Sequence, residues 1–340
     1  MQLTRRLATA GALVTLAVTA GACGGQVGDE SRGGAAGQTI KIAGVAAVAS
    51  DPFWISIQCG AAAEAKRLGA EFTWTAGATA DAQQQAQNLQ TVMLKRPDGV
   101  LLAPFSTSTF VSPVQSLMRK GVPVVLVAGT TLDKPVHYQS FQTSASAGFA
   151  PMADLIAKQN SQGGSIGILG GTAGTNLKSA RVDPMVRELA KSAPNIKPLK
   201  VEYDGIDSTK AATIVSSWIL AHPDLKAVWA VTGPSAQGAA AAVEQHDKTG
   251  KVRVYAYDAT PDEVAALKRG VISGLIAQSP IKQGQQAVAA LVRYIKDHPD
   301  GGAVSPAKPQ TVDVDSKVLT PSNVDTPEGQ KYVYRTKCEA

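Results

Sequence analysis

The side chains that could do chemistry in this 340-residue chain are few and scattered. His137, His222, His246 and His298 are its histidines, and none stands at a metal-ligand or nucleophile–base spacing from a cysteine or acid. His222 and His298 each open a His-Pro-Asp triplet at a predicted helix end, where capping or the helix dipole accounts for them. No H-E-x-x-H occurs. The run 167–174 (GILGGTAG) invites a phosphate-loop reading, but neither G-x-G-x-x-G nor G-x-x-x-x-G-K-[ST] can be read there, and Lys178 follows Leu177 rather than glycine. No catalytic residue, metal site or cofactor is expected.

Three cysteines carry the remaining reactive chemistry. Ahead of Cys23, Arg5 and Arg6 form a basic region, residues 7–20 are an uncharged apolar run, and Ala20-Gly21-Ala22-Cys23 offers small side chains to a peptidase. The run is too short to span a bilayer stably. The tetrad resembles the lipobox of bacterial lipoproteins, with alanine where leucine is preferred, so residues 1–22 read as a signal peptide and Cys23 as the lipidated residue. A plain signal peptide with an incidental cysteine is the alternative. Arg5-Arg6 also permits a twin-arginine route, although the residues after it favour general secretion. Export leaves Cys59 and Cys338 in an oxidising compartment, where two readings stand open: a disulfide, or two free thiols too far apart to bridge.

Formal charge is +6 and falls by two when Arg5 and Arg6 are removed, because residues 1–22 hold no acid. The other cations are dispersed, without the stripe that nucleic acid requires. No later stretch is long and apolar enough for a transmembrane helix. Contact with the membrane is expected through the lipid alone, and the protein is expected to be a monomer.

Residues 23–38 (CGGQVGDESRGGAAGQ) lack periodicity and read as a flexible tether. From Thr39 short apolar strands alternate with helical stretches, the signal of parallel strands joined by crossover helices. Strands are expected at 40–45, 71–75, 99–103, 122–127, 138–142, 165–169, 199–203, 227–231, 252–257 and 273–277, and helices include 54–68, 179–192 and 282–297. Residues 301–321 read as an extended return segment. The fold class is α/β, with two doubly wound Rossmann-like lobes, and ligands of such sheets bind outside the carboxyl ends of the strands.

Residues 40–54 (IKIAGVAAVASDPFW) give a first strand, a polar corner and an aromatic helix start. In order along the chain follow DGVLLAP at 98–104, GVPVV at 121–125, Gly174-Thr175 with Arg181, AHPDLKAVWAV at 221–231, YDATP at 257–261 and IAQSP at 276–280. This series resembles the ribose-binding branch of type I periplasmic solute-binding proteins over most of residues 39–300. The resemblance implies a three-strand hinge near Gln142, Ser279 and 309–312. It places 39–142 plus 279–310 in the first lobe and 143–278 plus 311–340 in the second lobe and tail. It implies a small-molecule ligand such as a sugar or polyol, an ABC transporter permease as partner, and no reaction on the ligand.

Ligand contact is then expected from Ser50, Asp51, Phe53, Trp54, Arg181, Thr232, Asp258 and Gln278. A sugar ring needs aromatic planes against its C–H faces and bidentate groups around its hydroxyls. One of Phe53 and Trp54 could instead pack into the lobe core, Asp258 could cap the Asp-x-Thr-Pro turn, and Arg181 could pair with Asp183 or Glu188. Where the family carries an Asp-Arg pair after the fourth strand, this chain has Ala128-Gly129, and Ser179 and Thr232 replace an arginine and an asparagine. The thinned rim points to a ligand less hydroxylated or more apolar than ribose. A receptor feeding a membrane signalling protein is the runner-up. A repressor fails because residues 1–38 hold an export signal where a helix-turn-helix would be needed.

Overall fold

The computed structural model describes residues 39–79, 81–129, 131–175, 177–304 and 309–338, so Cys23 and the expected signal and tether lie outside the described residues. The first lobe is built from β1 (Lys41–Val48), α1 (Pro52–Leu68), β2 (Glu71–Gly77), α2 (Ala82–Leu94), β3 (Gly99–Leu102), α3 (Val111–Arg119), β4 (Val124–Leu126) and β5 (Gln139–Thr143). The chain crosses and forms α4 (Ala145–Gln159), β6 (Gly164–Leu169), a π-helical turn at Lys178–Val182, α5 (Asp183–Ser192), β7 (Ile196–Pro198), α6 (Ser208–Ala221), β8 (Leu225–Ala230), α7 (Gly233–Gln245), β9 (Arg253–Tyr257), α8 (Pro261–Lys268) and β10 (Ile272–Gln278). It returns as α9 (Pro280–Asp297) and β11 (Gln310–Val314), then crosses again to β12 (Ser316–Leu319) and the short α10 (Pro327–Gln330).

Each lobe holds one six-stranded sheet, ordered β11-β5-β4-β3-β1-β2 and β12-β10-β9-β8-β6-β7. The first is parallel throughout; in the second, β12 runs antiparallel to β10. Strands such as β3 (GVLL, buried at every position) are continuously apolar because helices cover both faces. Buried side chains fill both faces of each sheet. In both lobes strand order reverses beside the first strand, between β1 and β3 and between β6 and β8. The loops after β1 and β8 therefore sit where an open α/β sheet binds ligands.

Three expectations change. A strand at 199–203 is replaced by β7 at Ile196–Pro198, followed by a single bridge between Leu169 and Glu202. Pro198 has no N–H to donate, which breaks the ladder along this edge. The helix at 179–192 begins with a wide π turn, because Pro184 cannot donate to the carbonyl four residues earlier. The final crossing lies at Asp315 rather than 309–312, since β11 pairs with β5 in the first sheet, Thr311 opposite Ser140 and Val314 opposite Thr143. Residues 311–314 thus belong to the first lobe, where alternating Val312 and Val314 pack against its core.

Helices α1 and α9 pack backbone to backbone across the first lobe. A Cβ on Gly60 would lie 2.0 Å from the Ile281 carbonyl oxygen, and one on Gly284 would lie 2.2 Å from that of Ile57. Cys59 in α1 is disulfide-bonded to Cys338, with Cα atoms 5.1 Å apart, which decides between the two readings of those thiols. Among the described residues no helix is long and apolar enough to cross a membrane.

Candidate functional site between the lobes

The first lobe contributes the corner after β1. Asp51 caps α1 by accepting the Phe53 N–H at 2.7 Å, with Pro52 at the first helical position, a preorganised helix start. This aims the α1 N-terminus at the second lobe. Phe53 packs against the cores of both lobes, its ring centroid 4.9 Å from Trp54 and 5.6 Å from Tyr334. Trp54 packs against the first lobe's core and stays half-buried, while Ser50 is exposed.

The second lobe contributes a charged centre after β9. Asp258 adopts φ +92°, strained for a residue with a Cβ, and its backbone N–H donates to the Ile276 carbonyl at 2.9 Å. One carboxylate oxygen accepts from Arg181 Nη1 at 3.0 Å; the other accepts from Gln278 Nε2 at 2.7 Å and the Tyr334 hydroxyl at 2.9 Å. Arg181 also donates to the Val231 carbonyl at 2.7 Å and lies over the Tyr257 ring at 4.1 Å from its centroid. Asp183 and Glu188, the expected alternatives for Arg181, pair with Lys178 and Lys191 instead. The turn after Asp258 is capped by Thr260 in a capping box with Glu263, so the Asp258 carboxylate is not spent there.

The two halves share one electrostatic environment. Burial pushes the Asp51 carboxyl up, the Phe53 N–H partly offsets this, and the facing Asp258 raises it further. Burial also pushes Tyr257 up to about 12 and Tyr334 well above the ordinary tyrosine value, which keeps both phenols neutral. Glu263, buried behind Asp258, is pushed up to about 8, first by burial and then by Asp258. One of its carboxyl oxygens has no hydrogen-bond partner.

A side-chain relay runs from this centre through the hinge. Gln278 accepts from the Thr143 hydroxyl at 2.5 Å, Gln283 donates to that hydroxyl at 3.3 Å, and Gln283 accepts the Ala128 N–H at 3.0 Å. Asp51, Phe53, Arg181, Asp258 and Gln278 are thus brought to one cleft. Thr232 is drawn away from it: only 8% exposed, it caps α7 and shares its hydroxyl with Ser235 at 2.7 Å, which in turn donates to buried Asp204 at 2.6 Å.

Sequence reasoning missed Thr143, Tyr257, Gln283, Glu263 and Tyr334. Tyr257 could have been found beside Asp258 at the end of its strand; Tyr334 lies 76 residues from Asp258 and carries no local signal. A separate cavity of about 420 Å³, lined by residues such as His222, Lys226, Lys248 and Arg253, lies at the amino ends of β6, β8 and β9, opposite the cleft. The C-termini of α4, α6 and α7 converge near it, and its basic side chains complement their dipoles.

The family profile described as a periplasmic binding protein domain matches residues 42–299, well over half of the chain. The chain belongs to the periplasmic binding protein family. It is 28% identical over 286 residues to the D-allose-binding periplasmic protein of Escherichia coli, covering 80% of this chain and 89% of that one. It is 28% identical over 257 residues to the ribose import binding protein RbsB of Salmonella typhimurium, covering 75% and 84%. The crystal structure of an ABC transporter solute-binding protein from Agrobacterium vitis, bound with α-D-tagatopyranose, superposes with a TM-score of 0.75 at 25% identity. That match spans 87% of this chain and 100% of that chain. Like other members of this family, the protein is a binding protein and not an enzyme, and its two lobes have the type I periplasmic binding protein fold.

Proposed function

We propose that this protein is the extracytoplasmic substrate-binding lipoprotein of an ABC importer, capturing a sugar or sugar-like polyol between its lobes and handing it unchanged to a permease. The observation that carries this reading is the approach of Asp51 and Phe53 from one lobe to Asp258, Arg181 and Tyr334 from the other. A ligand favours the closed form only by touching both lobes, and this cleft supplies groups from each. Carboxylates and a guanidinium suit hydroxyls, and Trp54 supplies an aromatic plane. The relatives named for allose and ribose support the ligand class.

The rim also argues for its limits. With Ala128-Gly129 after β4 and the Thr232 hydroxyl committed to Ser235, Arg181 is the guanidinium that the site offers, and it is already held by Asp258. A ligand with fewer hydroxyls than ribose fits that inventory. Lipid on Cys23 and a loose tether over residues 24–38 would hold the receptor near its permease.

A thermal-shift and calorimetric screen over D-allose, D-ribose, D-tagatose, polyols and deoxy sugars tests the assignment. A compound at about 100 times its dissociation constant adds about 2.7 kcal/mol of stability. Trp54→Ala should then weaken its binding while leaving the fold intact. A shift produced by amino acids or peptides, with none from sugars or polyols, overturns the ligand class. Mass spectrometry of membrane-extracted protein, with Cys23→Ser as the unlipidated control, tests the anchor.

A further inference from the structure

The three strand crossings are not the only ties between the lobes. After β12 the chain stays with the second lobe: Val324, Tyr332 and Tyr334 are buried in its core, and the Tyr334 N–H donates to the Ala259 carbonyl at 3.0 Å. One residue later it has moved to the first lobe, where the Arg335 N–H donates to the Ser56 hydroxyl of α1 at 2.7 Å. Three residues further on, Cys338 is covalently joined to Cys59, one turn along the same helix. The Tyr334 ring meanwhile packs on Phe53 of the first lobe, and its hydroxyl donates to Asp258 of the second.

We infer that residues 331–338 form a covalent strap between the lobes that limits how far the cleft opens and, through Tyr334, positions Asp258 for ligand. The ligand-binding half of this inference rests on the function proposed above; the restraint on opening does not. Between Tyr334, fixed in the second lobe, and Cys338, bonded to the first, only Arg335, Thr336 and Lys337 can pay out. Four virtual bonds reach at most about 13–15 Å. A cleft joined only by its three main-chain hinge segments carries no such additional tether. The restraint lowers the conformational freedom of the open form, so less must be given up when ligand closes the cleft. Tyr334 acts as a positioning residue: with Gln278 it holds one carboxylate oxygen while Arg181 holds the other.

Small-angle scattering of the full chain without sugar, before and after reduction by a phosphine, reads the restraint directly. The reduced protein should show a larger radius of gyration and a longer maximum dimension. A variant with four Gly-Ser residues inserted between Lys337 and Cys338 keeps the crosslink and adds slack, and it should expand in the same way while still oxidised. Identical scattering from oxidised, reduced and lengthened forms, each still folded by circular dichroism, overturns the strap. Calorimetry with D-allose and D-ribose as probes reads the positioning role: Tyr334→Phe should weaken binding about tenfold, the loss of one hydrogen bond to a charged group. Unchanged affinity refutes that role. If neither these two nor any other sugar or polyol of the thermal-shift screen binds the unaltered protein, the ligand assignment fails together with the positioning role that rests on it, while scattering still decides the restraint.

Discussion

Arg181 and Asp258 stand 77 residues apart in the chain and meet at 3.0 Å, with side chains only 20% and 15% exposed. Each is the other's charge partner, so removing one leaves a largely buried charge uncompensated. Arg181→Met alone should cost about 1–3 kcal/mol by urea denaturation. Adding Asp258→Asn should recover part of that loss. A double-variant loss equal to the sum of the two single-variant losses would show that the two charges do not couple.

Glu263 ties stability to pH. Its carboxyl is pushed from 4.5 up to about 8 by burial and by Asp258, so the folded protein holds a proton that the unfolded chain has released. The stabilisation is fully present below pH 4.5 and is lost as pH rises through about 8. The urea midpoint of the unaltered protein should fall between pH 5 and pH 8 more steeply than that of Glu263→Gln. Parallel slopes for the two proteins would remove Glu263 as the source.

The Cys59–Cys338 bond closes a loop across 279 positions. Chain-entropy reasoning puts its contribution near the top of the usual range of about 2–5 kcal/mol. Cys59→Ala/Cys338→Ala should lower the denaturation midpoint accordingly, and reductant should lower that of the native protein but not of the double variant.

Gly60 and Gly284 are expected to tolerate no side chain. Alanine at either would drive a methyl into opposing helix backbone, at 2.0 Å and 2.2 Å, and force α1 from α9. Each substitution should cost about 1–3 kcal/mol or more. Gly174→Ala is the control. That residue has open space around it but a φ of +75°, so only backbone strain of about 1 kcal/mol is expected.

The lobes were readable in the sequence because central strands such as β3 and β4 are short apolar runs fixed by their own residues. The edges were less readable. β7 shifted because Pro198 interrupts a ladder that composition alone extends to Tyr203, and β11 joined the first sheet because pairing with β5, a long-range choice, decided its lobe. The site divides the same way. Asp51, Phe53 and Asp258 were visible as polar or aromatic residues at strand ends. Tyr334, Gln283 and Glu263 act through distant partners, and the inward turn of Thr232 depends on Asp204, some 28 positions before it in the chain.

The position of α9 in the chain order has one more consequence. All of the second lobe except β12 and the tail after it is a continuous stretch from α4 to β10, whereas the first lobe lacks α9 and β11 until that stretch has passed. As the polypeptide emerges amino end first, the first lobe's opening segments must wait with the α9-facing side of α1 uncovered, while the second lobe already has nearly all its strands. The glycine-to-backbone contact of α1 with α9 is therefore a late event in maturation, and the first half of the molecule is the part most exposed to capture by chaperones and proteases along the way.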